Sequence, residues 1–205
     1  SQEQKTDTLI NFKTDSIIYK TNYGLRLGVD ISKPILAQFN STYSGFEIVG
    51  DYRIKKNLYI AAEAGYEEET TAEDYTNSTS KGNYIRIGFN YNVYQNWLDM
   101  NNEIFIGYRY GFSIFEQTLN SYTSNVNTSY FPAITNTTPL TTMDLNAHWS
   151  ELVFGFRTET FKNFFITFSG SYKIMMHVKE PENFKTLFSP GFNRIFETGT
   201  GFGFN

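Results

Sequence analysis

The chain contains no cysteine, which excludes disulfide staples, thiol catalysis, thiolate metal centres and a lipid-modified cysteine. No stretch approaches the ~18 consecutive apolar residues of a membrane helix, and the mean hydropathy is -0.40. Positive charge is not in excess either. Seventeen Lys and Arg stand against 21 Asp and Glu, mixed along the chain, for a net charge of -4. A nucleic-acid surface needs a basic stripe, so that partner class is excluded. Low hydropathy leaves one membrane architecture open, because a barrel strand shows lipid only every second residue.

What the chain has is aromatic side chains and alternation. Its 205 residues include 20 Phe and 15 Tyr. Eight stretches place bulky apolar residues at every second position, opposite charged residues or glycine. They run over 23–31, 46–54, 58–67, 85–93, 103–112, about 148–157, 164–174, and from near Ile195 to the end. This period of two predicts half-exposed strands. Connections after the second, fourth and sixth strands are tight. Those after the first, third, fifth and seventh are long, covering 34–44, 68–82, 116–146 and 177–192. Outer-membrane barrels alternate short periplasmic turns with long outer loops in this way. The expectation is therefore an all-β fold, an eight-stranded antiparallel up-and-down transmembrane β-barrel over 18–205, with periplasmic termini. Residues 1–17 are polar and aperiodic and read as a flexible periplasmic segment. The opening Ser1-Gln2-Glu3-Gln4 reads as a mature end left by signal-peptide removal.

Volume decides which face points outward. An eight-stranded barrel has an interior just wide enough for side chains, and the many Phe and Tyr of the apolar face would overfill it. The polar face fits, and its charges match. It carries Arg26, Arg53, Arg86, Arg109, Arg157 and Lys173 with Asp30, Glu47, Asp51, Glu63, Glu103, Glu151 and Glu197. These are expected to pair inside the lumen and plug it. Tyr52, Tyr94, Trp97, Phe161 and Phe164 lie near the tight turns, where a periplasmic aromatic girdle belongs, with Tyr43, Phe46, Tyr66 and Phe112 toward the other rim.

Five stretches carry a family resemblance: Tyr-Gly-Leu-Arg-Leu-Gly-Val-Asp at 23–30, Phe-Glu-Ile-Val-Gly-Asp-Tyr-Arg at 46–53, Arg-Tyr-Gly-Phe-Ser at 109–113, Ala-His-Trp at 147–149 and Pro-Gly-Phe-Asn-Arg-Ile-Phe-Glu-Thr at 190–198. With them the chain resembles an uncharacterised family of small outer-membrane barrels from Bacteroidota, similar in architecture to the OmpA and OmpX group. The resemblance covers most of the chain and implies a bacterial outer membrane and no established enzymatic role. Asp7-Thr8-Leu9 and Asp15-Ser16-Ile17 resemble the acceptor tripeptide for O-glycosylation in that phylum, which makes Thr8 and Ser16 candidate modification sites. Such barrels end in an aromatic residue, whereas this sequence stops at Phe204-Asn205. The last strand is thus expected to be incomplete.

Candidate chemistry is sparse. His148 and Ser150 share one face of the sixth strand, as in outer-membrane lipid A deacylases, where His activates Ser. A third carboxylate should orient the His, yet Glu151 points the other way by parity. His177 reads as solvated. Glu67, Glu68 and Glu69 with Glu73 and Asp74 offer hard oxygen ligands, but without the spacing of a Ca²⁺ loop. No cofactor or metal site is expected. The leading expectation is a non-enzymatic accessory subunit of a larger outer-membrane complex, in contact with outer-membrane lipid and lipopolysaccharide. The barrel-insertion or a secretion machinery is a candidate host. The alternatives are a lipid-modifying enzyme using His148 and Ser150, or an adhesin or receptor working through 116–146.

Overall fold

The computed structural model describes residues 24–94, 102–124, 130–182 and 184–205. The leader 1–17, the candidate acceptors Thr8 and Ser16, and Trp97 lie outside the described residues.

In chain order the elements are β1 (Leu25–Val29), α1 (Ser32–Phe39), β2 (Tyr43–Lys55), β3 (Leu58–Ala72), β4 (Thr76–Asn92), β5 (Glu103–Ser124), β6 (Ile134–Asn136), β7 (Leu140–Phe161), β8 (Phe164–Val178), β9 (Phe188–Ser189), β10 (Asn193–Arg194) and β11 (Thr200–Phe204). The fold is all-β with one short helix. Antiparallel pairing joins β1-β2-β3-β4-β5-β7-β8-β11 in one sheet, β6 adds to β5, and β9 and β10 form a small hairpin. Among the described residues β1 pairs only with β2 and β11 only with β8, so no ladder closes the sheet. The sheet is nevertheless strongly rolled. Arg26 on β1 reaches Glu103 on β5 at 2.7 Å, and Ser32 Oγ lies 3.5 Å from the Phe204 carbonyl across the open seam.

Period-two patterning produces the two faces. On β5 the odd positions from Glu103 to Gln117 are buried and the even positions from Ile104 to Phe112 are exposed. Pairing carries this parity from strand to strand, so each inner row combines bulk with glycine. One such row runs Glu63, Arg86, Gly111, Trp149. A Cβ on Gly111 would stand 2.2 Å from the Trp149 ring, so the indole occupies the space that glycine leaves.

Several connections differ from expectation. Residues 34–44 hold α1, whose inward Lys33 is buried while Ile35, Leu36 and Phe39 are exposed. Most of 68–82 and 116–146 is strand: polar Thr and Asn pair across the ladders as well as apolar residues do, as in the 2.8 Å contact between Thr70 and Thr79. Residues 186–192 do not wander outside. They fold into the upper interior, with Phe188, Ser189 and Phe192 buried, while Lys185 and Arg194 to either side stay exposed. The last strand starts at Thr200 instead of near Ile195, because the chain turns at Glu197–Thr198.

If the Gly111 gap is what seats Trp149, Gly111→Ala should lower stability by about 1–3 kcal/mol through overpacking. Gly170→Ala, whose added Cβ meets nothing closer than 3.9 Å, should leave it unchanged. Urea unfolding followed by Trp149 emission in a Trp97→Phe background measures both.

Candidate functional site

The inner face carries an ionic network in two parts. Near the tight turns, Arg26 meets Asp51 at 2.6 Å and Glu103 at 2.7 Å, while Arg157 meets the same two carboxylates at 2.9 and 3.0 Å. Higher up, Arg86 is the hub. It contacts Glu47 at 2.6 Å, Glu63 at 2.8 Å and Glu151 at 3.3 Å. Arg109 shares Glu63 at 3.1 Å, and Lys173 lies 3.9 Å from Glu151. Residues far apart in sequence meet here because successive strands bring the same inward parity to one level.

Ten of the thirteen charged residues expected in the lumen thus join ion pairs: all but Asp30, Arg53 and Glu197. Asp30 is buried, but its Oδ1 accepts the Ser32 backbone N–H at 2.8 Å, so it holds the entrance to α1. Arg53 stacks over the Tyr59 ring at 5.1 Å, beside Arg26 at 4.3 Å. Glu197 is exposed in the turn before β11. Its alternation with glycine resembled a strand, but Gly199 has a φ of +64° and continues a turn.

Sequence reasoning missed several members. Lys33 enters from α1 and pairs with Glu67, and it lies 3.7 Å from Glu47. Tyr43 was expected on the rim, yet it is buried with its hydroxyl donating to Glu67 at 2.9 Å. Tyr84 donates to Glu47, and Trp149 Nε1 donates to Glu151 at 2.6 Å. Inward parity was the signal that could have found all but Lys33. Phe105 and Phe115 are inward too, so the interior is more aromatic than expected.

The segment 186–192 completes the filling. The Gly191 N–H donates to Glu67 Oε2 at 2.6 Å and its carbonyl accepts from Lys173 Nζ at 2.7 Å. Gly191 has a φ of +82°, and a Cβ there would lie 2.6 Å from the Tyr84 ring. Ser189 meets Ser113 at 3.0 Å, and Phe192 packs edge-on against Trp149. Five strands therefore grip one loop.

The outer face is apolar. Phe46, Ile54, Ile85, Val93, Ile104, Ile114, Phe164 and Ile174 are all exposed and bound outward runs on β2, β4 with the residue just past it, β5 and β8. Of the expected girdle, Tyr52, Tyr94, Phe161 and Phe164 are exposed, with Phe161 and Phe164 in ring contact beside their turn. Above the apolar band the outward residues become polar, as with the exposed Lys81–Glu116 pair at 3.0 Å. His148 and Ser150 do face outward, but they bond other residues. His148 Nδ1 lies 3.0 Å from the Tyr110 hydroxyl, and Ser150 Oγ lies 2.9 Å from that of Tyr108. The acidic stretch is split between faces, with Glu67 buried inside and Glu68 bonded to Tyr66 at 3.1 Å. Among the described residues no group of three or more His, Asp or Glu is placed to hold a metal ion.

Removing the hub leaves three carboxylates short of a cation, which costs about 3–5 kcal/mol when the pair is buried. Arg86→Met should accordingly lower the urea midpoint of the folded protein strongly. Lys81→Ala removes an exposed, solvent-screened pair and should leave that midpoint almost unmoved.

No curated protein and no solved structure matches the chain. A family model does match, over residues 1–205, under the description "Domain of unknown function (DUF6048)", and the chain belongs to that family.

Proposed function

We propose that this chain is a small, non-enzymatic, integral β-barrel of a bacterial outer membrane, serving as an accessory or structural subunit of a larger outer-membrane complex. In this reading the rolled sheet closes along the β1–β11 seam into an eight-stranded transmembrane barrel with periplasmic termini. The strong curvature and the approach of Ser32 to Phe204 support that closure. A Bacteroidota source is part of the reading and rests on the resemblance of the strand motifs.

The observation that carries it is the split of side chains by parity. Outward apolar runs span 46–54 on β2, 85–93 on β4 and the residue that follows it, 104–114 on β5 and 164–174 on β8. Each matches the roughly 9–11 residues with which a tilted strand crosses a bilayer. Buried charges sit on the opposite face, where all but Asp30 meet a counter-charge. In water the arrangement would be inverted, with greasy rings in solvent and charges dried out.

An interior occupied by ion pairs and by 186–192 disfavours a porin. The usable surfaces are then the lipid-facing wall, the rim and the periplasmic tail. Barrel-insertion or secretion machinery is a host of the right compartment, with lipid and lipopolysaccharide around it. A second reading, a receptor or adhesin acting through 116–146, draws on strand length. β5 and β7 have 22 residues each, about twice what the membrane needs, and Tyr130 in their connection is 94% exposed. The lipid-modifying reading is less favoured, since His148 and Ser150 each bond a tyrosine instead of one another.

Two measurements test the proposal. In a Trp97→Phe background, acyl chains carrying bromine should quench Trp placed at outward Phe154 and leave inward Trp149 bright. Equal response at both sites would overturn the membrane assignment. Purified in mild detergent from its native membrane, the protein should run in a high-mass complex with stoichiometric partners. A lone monomer would overturn the accessory role.

A further inference from the structure

One polar cluster lies outside the charged interior. Toward the upper end of the apolar band, β5 presents Tyr108 and Tyr110, β7 presents His148 and Ser150, and β8 presents Met176 and His177. Exposed Phe112 and Ile114 of β5 and Met143 of β7 continue apolar surface around and above it. Ionisable side chains set in such a surface are costly and mark a site.

A bulge assembles the cluster. His148 pairs with His177 and Trp149 with Met175, which leaves Met176 as the extra residue on β8. Strict alternation would turn Met176 or His177 inward. The bulge lets both stay outside, while Met175 below and Val178 above pack against the core. The two imidazoles face one another across the ladder with ring centres 5.5 Å apart. The Tyr110 hydroxyl holds His148 Nδ1 at 3.0 Å and leaves Nε2 as the free donor atom. An outer partner of this kind is what orients a metal-binding imidazole. Ser150, bonded to Tyr108, holds Met176 Sδ at 3.3 Å.

We propose that His148, His177 and Met176 form a copper-binding site on the outer wall, with Tyr110 and Ser150 as positioning residues. Metal–nitrogen bonds of about 2.0–2.1 Å put two imidazoles that share an ion roughly 5–6 Å apart, centre to centre. The observed spacing falls in that range. Imidazole suits copper and zinc alike, and the thioether selects Cu(I). The cluster contains no carboxylate, so hard cations such as Ca²⁺ are poorly served.

The test titrates the full-length, detergent-solubilised protein with Cu(I) under reductant, against a chromogenic copper chelator. One equivalent should be retained. His148→Ala and His177→Ala should each weaken binding at least tenfold, and Tyr110→Phe by about tenfold. Met176→Leu should reduce Cu(I) affinity while leaving the weaker Zn²⁺ affinity unchanged. Copper uptake equal in the wild type and the His148→Ala/His177→Ala double variant would overturn the site, as would a Met176→Leu variant that binds Cu(I) normally. All these side chains face outward, and unchanged urea midpoints would confirm that the variants fold. The lipid-quenching result is independent of this outcome, so the two proposals stand or fall separately.

Discussion

The structure depends on charge neutrality in a space with little water. Arg26, Lys33, Arg86, Arg109, Arg157 and Lys173 are matched by Glu47, Asp51, Glu63, Glu67, Glu103 and Glu151. An isolated charge in such a place would cost many kcal/mol. The balance is therefore a condition for the interior to exist. Much else follows from it: inward glycines make room for long charged side chains, Tyr and Trp hydroxyl and indole groups take up spare carboxylate oxygens, and a loop peptide supplies the last donor and acceptor. Buried ion pairs are weak evidence of net stability. What this one provides is a reason for a unique register, since a slip of one residue would send every charge to the apolar wall.

Much of this was legible from the amino-acid order, because period two is a strong signal when both faces are sharply different. Alternation placed Arg86, Glu47, Glu63, Arg109 and Glu151 on one face without reference to any structure. Parity failed where the backbone stops alternating. Lys33 enters from a helix, Met176 and His177 share a face through a bulge, and Gly199 breaks the period just where the sequence kept it. These are tertiary events with no local signature. Thr- and Asn-rich stretches resemble loops in sequence because polar composition correlates with loops. Yet Asn77, Thr79 and Asn120 bond one another across the ladder, and such cross-strand pairs support a sheet as well.

The candidate copper cluster and the charged interior use one sheet in opposite ways. Inside, register brings unlike charges together over long sequence separations. Outside, a single extra residue on β8 gathers two imidazoles and a thioether on two adjacent strands. The first arrangement tolerates no local error because its members are shared. The second could arise or vanish with little effect on the fold, since its side chains are not needed to satisfy anything buried.

Glu67 and Lys173 clamp the main-chain N–H and the carbonyl of Gly191, which lies 124 positions from Glu67 in sequence. That clamp cannot form until β3 and β8 already face one another and the loop between them and β11 has been made. The interior seal is thus a contact between parts of the chain far apart in sequence. Contacts of such sequence separation are intrinsically slow to form, and until this one is made the inward charges of β3 and β8 lack the main-chain partners that Gly191 gives them.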